Sequence, residues 1–448
     1  MHKFSMEGKD MDKEKRIDDI LENLLKKGSE NAYLKELRAK CLQIISKDQS
    51  LSEIMSMCAE EIVCATEEFL LSKNIYSVNY ISGLSSCLYF SDFNNNGEYI
   101  LKIIGGTRKR EENERIDENT MFDIASITKL YLLILLFRLE ELGIINLDDK
   151  ISTINPNFPY LEDFTFNDLI RLHGKLRTRG NITQAHSSEE AYQMLKTIYL
   201  VSNSREENTY TDFGSIIMSD TLEYVISSKW GRKVGFSEIM NYYLLEPLNL
   251  WDTKFNPSSV NLSGNENSYG LVHDPKSRIL GGAVGSAGLF TTSEDVAKLA
   301  KSLFSINYIS PNFISRKSLN KIGETTFPYA LQCNKGNLGV YVKHPLGYIK
   351  TFTPPEFSDG SFSHQGWTGS VATFDPNNLI HHNILVNAIY ESDNPEEIKN
   401  NKPIDFNIAF RKYQQQLTAN TMLMYVLKKY YNKYCNDKED IKQIKMIK

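Results

Sequence analysis

The chain has 448 residues, of which 41% are hydrophobic, 24% charged and 11% aromatic, and its formal net charge is −5. This composition is that of an ordinary globular protein and excludes wholesale disorder, and the negative charge gives no basis for a nucleic-acid partner. Six scattered cysteines without a CxxC pair argue against a disulfide scaffold and a cysteine-rich zinc site. A chain this long exceeds one ordinary hydrophobic core, so we expect a large composite unit or two domains.

The N-terminal region is charged and lacks the apolar central stretch of a secretory signal. The longest apolar run, residues 130–137, has eight residues, whereas a membrane-spanning helix needs about 20. We therefore expect a buried helix segment at this run, no membrane association and a cytoplasmic location.

The first part of the chain predicts helices followed by a hairpin. Residues 10–72 alternate apolar and charged residues at helical spacing, which predicts two or three helices. Residues 1–52 are predicted to form an N-terminal helical extension. We favour packing of this extension on the main body over a partner-binding or dimerisation arm. The apolar runs 80–90 and 99–104, joined through an Asn-Gly turn, predict a β-hairpin.

Downstream, helices separate this hairpin from further strands. Residues 148–270 are predicted to form a mainly helical insertion. A glycine-rich stretch then leads into a helix that Thr292 or Ser293 would cap. Further strands are predicted at 371–374 and 384–390, and a helix from about Phe406. Strands near both ends of the chain with helices between them predict an α+β fold, whose α/β part comprises 53–147 and 271–448.

One short motif has catalytic potential. A serine hydroxyl is a weak nucleophile until a neighbouring base takes its proton. Ser126 and Lys129 are three residues apart, so they lie on one face if a helix begins near Ala125. The helix N-terminus adds a positive dipole at the same point. The same spacing recurs at Ser318 and Lys321, in an ordinary amphipathic stretch. The predicted hairpin before Ser126 and the apolar helix after it favour Ser126 and Lys129 as the catalytic pair.

Three motifs occur in this order along the chain: Ser126-x-x-Lys129, Tyr210-Thr-Asp212 and His364-Gln-Gly366. They resemble the motifs of the penicillin-recognising serine hydrolase superfamily, in its class C β-lactamase-related branch of esterases and peptidases. Residues 246–253 and 281–295 extend the resemblance beyond the motifs.

The pattern Tyr-x-Asn also occurs at Tyr430 and Tyr434. Both triplets come after the His-Gln-Gly segment, so we interpret both as surface helix.

The resemblance implies a β-lactamase/transpeptidase-like fold, with an antiparallel sheet flanked by helices and an all-helical insertion. It also implies four catalytic residues. Ser126 would be acylated, Lys129 would hold the proton network, and Tyr210 would act as the general base, its phenolate favoured by the lysine ammonium. His364 would line the opposite wall as a hydrogen-bond donor or proton shuttle.

The same resemblance implies the substrate-binding residues. Asp212 would orient Lys129 or contact substrate, and Gly366 would let substrate lie along the strand edge. The backbone N–H groups of Ser126 and Trp367 would form an oxyanion hole. No metal or organic cofactor is implied.

Several positions depart from the family pattern. Asp212 replaces the usual asparagine. A carboxylate at this position favours a charged Lys129 that supports Tyr210. The replacement also makes β-lactamase activity a minor alternative. Ser286 stands where many relatives have histidine. Arg177 and Arg179, in an altered loop, are candidates for binding a substrate carboxylate, although solvated loop arginines are the favoured interpretation. We interpret four further polar residues as structural, capping or loop residues: His173, His273, Asp123 and Asp274.

The function implied is a serine hydrolase that cleaves an ester or amide of a small-molecule or peptide acyl substrate through an acyl-enzyme. An acyltransferase or peptide-tailoring enzyme would use the same acyl-enzyme, because the cleft and not the nucleophile selects the acceptor. A catalytically inactive binding protein that keeps the pocket is the third alternative. The oligomeric state is not predicted.

Overall fold

A computed structural model describes residues 83–91, 98–108, 114–172, 174–205, 210–258, 262, 270–304, 313–323, 341–342, 358, 360–377 and 379–386. Several sequence predictions lie outside these residues: the N-terminal extension, the helix from about Phe406, the role of His173 and the triplets at Tyr430 and Tyr434.

The centre of the fold is a six-stranded sheet built from both ends of the described chain. Its strands are β1 (Gly83–Ser91), β2 (Glu98–Gly106), β8 (Tyr341–Val342), β9 (Phe362–Gln365), β10 (Val371–Asp375) and β11 (Ile380–Val386). Their order is β2-β1-β11-β10-β9-β8, and every neighbouring pair is antiparallel. The early hairpin therefore joins the late strands through the β1–β11 pair, which confirms the predicted α+β fold with an antiparallel sheet.

Two small sheets complete the strand inventory of the described residues. Their strands are β3 (Phe122–Asp123), β4 (Leu176–Arg177), β5 (Tyr199–Leu200), β6 (Lys254–Phe255) and β7 (Leu289–Thr291). The three-stranded sheet has the order β3-β7-β6, and the two-stranded sheet pairs β4 with β5. The β3–β7 pair places the segment before Ser126 beside the end of the glycine-rich stretch.

Helices connect and flank these sheets. They are α1 (Thr128–Glu141), α2 (Ile151–Ile154), α3 (Phe166–Ile170), α4 (Ser188–Leu195), α5 (Phe213–Trp230), α6 (Phe236–Met240), α7 (Pro275–Ile279), α8 (Ser293–Phe304) and α9 (Arg316–Gly323). The region predicted as a helical insertion contains α2 to α6 together with β4, β5 and β6. The domain boundaries themselves stay a prediction.

Two of the helices explain how the core is organised. Helix α1 has no polar face over Leu130–Phe137, because every residue of that run is buried; such a helix belongs in the interior. Helix α8 begins where the Thr292 hydroxyl accepts the Asp295 N–H at 3.2 Å, which confirms a cap at this point. It packs on β1 and β11. None of the described helices combines the length and the apolar character that a membrane crossing requires.

Candidate active site

Ser126 lies in a tight turn between β3 and α1. The turn is a 3-10 turn over Ala125–Ile127, and the α-helix begins only at Thr128. Ala125 has a φ of +44°, a left-handed conformation that costs free energy for a residue with a side chain. Its N–H is held by Asp123 Oδ1 at 2.8 Å. The carboxylate thus stabilises a strained backbone directly before Ser126, where strain is typical of functional sites.

The Ser126 hydroxyl contacts both residues that the first two motifs predicted. Lys129 Nζ donates to Ser126 Oγ at 2.9 Å. The hydroxyl oxygen of Tyr210 lies 3.0 Å from the same atom, and the lysine ammonium lies 5.2 Å from the centre of the tyrosine ring. These distances bring a hydroxyl, an ammonium and a phenol into one hydrogen-bonded group, although Tyr210 lies 84 residues away in the chain.

The ammonium of Lys129 has an acceptor for each of its three N–H bonds. Besides Ser126 Oγ, it donates to Asp212 Oδ1 at 2.9 Å and to the Ser286 carbonyl oxygen at 2.9 Å. Burial alone would lower the pKa of Lys129, but Tyr210 and Asp212 outweigh burial and raise that pKa above its usual value. Lys129 is therefore held in its charged form.

Asp212 stands at the N-terminus of α5 and is bound by two lysines. Its Oδ1 accepts from Lys129, and its Oδ2 accepts from Lys276 Nζ at 2.7 Å. Burial alone would raise the pKa of Asp212, but the two ammonium groups bring it down to about 2. The same carboxylate raises the pKa of Lys276 against the effect of burial. Lys276 belongs to none of the three motifs and is not among the residues predicted from the sequence.

The glycine-rich stretch holds the third acceptor of Lys129 in place. Gly285 donates its N–H to Ser219 Oγ on α5 at 2.9 Å, and a Cβ at this glycine would lie 2.4 Å from the Ser215 carbonyl oxygen. Ser277 Oγ donates to the Ala287 carbonyl at 2.8 Å. The stretch is thereby fixed on both sides of Ser286, whose carbonyl faces Lys129.

The third motif forms a wall beside the Ser126 turn. His364 on β9 is buried, and its ring centre lies 6.4 Å from that of Tyr210. Its Nδ1 lies 2.8 Å from the Gln365 carbonyl oxygen; because a carbonyl only accepts, Nδ1 carries the hydrogen in this contact. A Cβ at Gly366 would lie 2.5 Å from the Ile124 carbonyl oxygen, which explains the glycine. Trp367 is half exposed.

The second Ser-x-x-Lys copy has different surroundings. Ser318 is buried at the start of α9, and its hydroxyl donates to Glu141. The ammonium of Lys321 lies 5.9 Å over the Phe137 ring. These contacts hold α9 against α1, so Ser318 and Lys321 have a packing role.

Three further sequence candidates are Arg177, Arg179 and Asp274. Arg177 and Arg179 are exposed, and the guanidinium of Arg179 lies 5.4 Å over the Tyr160 ring. Asp274 caps α7 by accepting the Ser277 N–H at 2.7 Å, as expected. Among the described residues, no cluster of three or more His, Cys, Asp and Glu side chains is placed to hold a metal ion.

Comparisons with known proteins agree with this architecture. The Beta-lactamase family model matches residues 91–404. An Escherichia coli K12 protein named "Putative D-alanyl-D-alanine carboxypeptidase" is 23% identical over 324 residues, which are 62% of this chain and 71% of that protein.

Solved structures of several hydrolases share the fold. A class C beta-lactamase mutant aligns with a TM-score of 0.58 at 15% identity, covering 82% of this chain and 97% of the other. The hydrolase EstCE1 aligns with a TM-score of 0.56 at 16% identity, covering 75% and 94%. D-amino acid amidase from Ochrobactrum anthropi SV3 gives 0.53 at 16%, covering 79% and 98%. The chain therefore belongs to the beta-lactamase family, within the penicillin-recognising serine hydrolase superfamily, and has its β-lactamase/transpeptidase-like fold.

Proposed function

We propose that this protein is a serine hydrolase that cleaves an ester or amide through an acyl-enzyme at Ser126. One observation carries the proposal: the Ser126 hydroxyl lies within hydrogen-bond distance of both the Lys129 ammonium, at 2.9 Å, and the Tyr210 hydroxyl, at 3.0 Å. A general base must reach the proton that it removes, and this geometry meets that requirement.

In the proposed reaction Tyr210, as phenolate, takes the proton of Ser126 while Oγ attacks the carbonyl carbon of the substrate. The carbonyl electron pair moves onto its oxygen, and the N–H groups of Ser126 and Trp367 stabilise the oxyanion. The tetrahedral intermediate collapses, and Tyr210 returns the proton to the leaving alcohol or amine. A water molecule then attacks the acyl-enzyme by the same route and releases the acid and free Ser126.

The lysine has an electrostatic role in this scheme. Because Asp212 and Tyr210 keep Lys129 charged, the ammonium cannot take up the serine proton and instead stabilises negative charge on the tyrosine oxygen. His364, on the opposite wall, is the proposed hydrogen-bond donor or proton shuttle that can relay this proton between Tyr210 and the leaving group. No step requires a metal or organic cofactor.

The proposed substrate is a small-molecule or peptide acyl compound. The names of the relatives span a carboxypeptidase, an amidase and EstCE1, a hydrolase with promiscuous acyltransferase activity. Acyl transfer to an amine or alcohol is therefore the second candidate. Both candidates share the acyl-enzyme at Ser126 and differ only in what attacks it.

The test is covalent labelling followed by intact mass spectrometry. A fluorophosphonate should add one adduct to the wild type and to Ser318→Ala, the matched control in the second Ser-x-x-Lys copy, and none to Ser126→Ala. An equal adduct on Ser126→Ala, or none on the wild type, would overturn the proposal.

A slow-turnover activated ester separates the remaining alternatives. Loss of the acyl adduct in buffer alone supports hydrolysis, and loss that is accelerated by an added amine, with the amide as product, supports acyl transfer. An adduct that persists under both conditions would favour a binding protein without turnover.

A further inference from the structure

Asp212 is placed between two ammonium groups that come from different helices. Lys129 on α1 binds Oδ1 at 2.9 Å, and Lys276 on α7 binds Oδ2 at 2.7 Å. Lys129 is almost fully buried, whereas the Lys276 side chain is about one-third exposed at 31%. Among the described residues, Lys276 donates to Asp212 and not to Ser126, so it acts on Ser126 through its charge and through the carboxylate that it holds.

We propose that Lys276 is a positioning residue for the reaction at Ser126: its ammonium offsets the charge of Asp212, so that the Lys129 ammonium keeps its influence on Tyr210. This inference rests on the proposed function, because it concerns the group that activates Ser126. It assigns a role to a residue that lies outside the three motifs.

The charges of the hydrogen-bonded set explain the need for a second lysine. A neutral amide at position 212 would leave Lys129 as a net positive charge beside Tyr210. The carboxylate that stands there cancels this charge. Lys276 restores a net charge of +1 to the set of Lys129, Asp212 and Lys276. A phenolate is favoured by net positive charge nearby, so the restored charge helps Tyr210 to act as a base.

Orientation acts in the same direction. A carboxylate held at one oxygen only can rotate, whereas contacts at both oxygens fix its plane. With Oδ2 bound to Lys276, Oδ1 stays directed at Lys129, whose other two N–H bonds reach Ser126 and Ser286. Lys276 itself is fixed on α7, a short helix that Asp274 caps.

Among the described residues, Asp274, at the cap of α7, is the further charged group that interacts with this set, and His364, on β9, lies beside Tyr210. Asp274 interacts with Asp212 and both lysines, and burial followed by the charge of Asp212 raises its pKa. Its Oδ1 already accepts the Ser277 N–H. Asp274 is present in all the variants below, so its side chain is common to every comparison.

The test compares Lys276→Met, Lys276→Gln and Lys276→Arg on an uncharged activated ester, so that no substrate charge can contact position 276. For the Met and Gln variants, we expect kcat to fall at least tenfold, with KM within about twofold. The acid limb of the kcat/KM profile should move up by about one pH unit, the effect of one nearby charge at an effective dielectric constant of about 20. Lys276→Gln keeps a hydrogen-bond donor without the charge. Lys276→Arg keeps the charge, so the acid limb of its kcat/KM profile should lie at the wild-type pH.

The double variant Asp212→Asn with Lys276→Met provides the sharpest comparison. It removes one negative and one positive charge, which leaves Lys129 as the net charge of the set. We expect it to be faster than Lys276→Met alone and to have an acid limb within about 0.3 pH unit of the wild type. Lys150→Met is the matched control, since it removes one ammonium from the exposed Lys150–Asp163 pair.

Three results would overturn the inference while leaving the proposed function intact. They are a wild-type acid limb in both Lys276→Met and Lys276→Gln, a Lys276→Arg variant as slow as Lys276→Met, and a double variant slower than Lys276→Met. Absence of fluorophosphonate labelling on the wild type would instead overturn the proposed function. Thermal melts identify any variant that fails to fold, and the inference is then decided on the other substitution at position 276.

Discussion

The hydroxyl of Thr368 donates a hydrogen bond of 2.7 Å to the backbone carbonyl oxygen of Asp123. The two residues are 245 positions apart, yet they join the turn after β9 to the strand that leads into Ser126. Gly366 lies against the Ile124 carbonyl at the same junction. The wall that carries His364 and the turn that carries Ser126 are therefore joined by direct contacts.

This junction predicts a strong effect of Gly366→Ala. The added Cβ would lie 2.5 Å from a backbone oxygen, and backbone cannot move aside as a flexible side chain can. The turn must separate from Ile124, which moves Trp367 relative to Ser126. We expect the acylation rate to fall by about a hundredfold, because a displacement of about 1 Å in an active site has an effect of this size. We also expect the free energy of unfolding to fall by about 1 to 3 kcal/mol. Stopped-flow acylation and thermal melts measure the two effects.

Gly235→Ala is the matched control for this change. A Cβ at Gly235 meets nothing within 4 Å, and the backbone φ of −89° suits alanine. Its acylation rate should equal that of the wild type. A Gly366→Ala enzyme with the wild-type rate would show that the contact with Ile124 does not set the geometry of the site.

Tyr210→Phe should slow acylation by at least about a hundredfold, a typical general-base contribution. The phenyl ring can still lie beside the Lys129 ammonium, so the change removes the oxygen 3.0 Å from Ser126 with little effect on packing. Rates with an activated ester give the effect. Tyr224→Phe, at the same exposed fraction of 44%, controls for the loss of an exposed hydroxyl. A rate within about threefold of the wild type would remove Tyr210 from the role of base.

The sequence predicts contacts well where the two residues are close in the chain. Ser126 and Lys129 are one turn apart, so a short pattern is enough to place both on one face, as found. Tyr210 and His364 required the ordered motifs of the family, because nothing in their own neighbourhoods indicates a distant partner. Lys276 and Thr368 contact Asp212 and Asp123 across 64 and 245 residues. Such long-range contacts have no periodicity or spacing that a single sequence could reveal.

The late strand shows the limit of hydrophobic patterning. The sequence predicts a strand over 384–390, whereas β11 begins at Ile380. Its early residues His381, His382 and Asn383 are polar and yet buried. Contacts that only the fold supplies compensate for this: the Asn383 side chain donates to the Ser293 carbonyl at 2.9 Å, and the Ser86 hydroxyl donates to the Asn383 carbonyl at 2.7 Å.

These buried histidines predict loss of stability in mild acid. Burial lowers the pKa of His382 from about 6.5 to about 3 and lowers that of His381 as well. Protons therefore bind more tightly to the unfolded chain. The contribution of His382 is fully present above about pH 6.5 and is lost progressively as the pH falls towards 3. Between pH 7 and pH 4.5 the loss from this residue should be about 2 to 3 kcal/mol.

His382→Gln removes the titrating group and keeps a polar side chain beside Ser86. We expect the free energy of unfolding to fall less for the variant than for the wild type between pH 7 and pH 4.5. The absolute value at pH 7 does not matter, because the slope of this free energy against pH reports proton binding. Urea denaturation at closely spaced pH values gives that slope. His186→Gln, which removes an exposed imidazole, should leave it unchanged. Parallel curves for the wild type and His382→Gln would mean that the His382 imidazole reaches solvent in the folded protein.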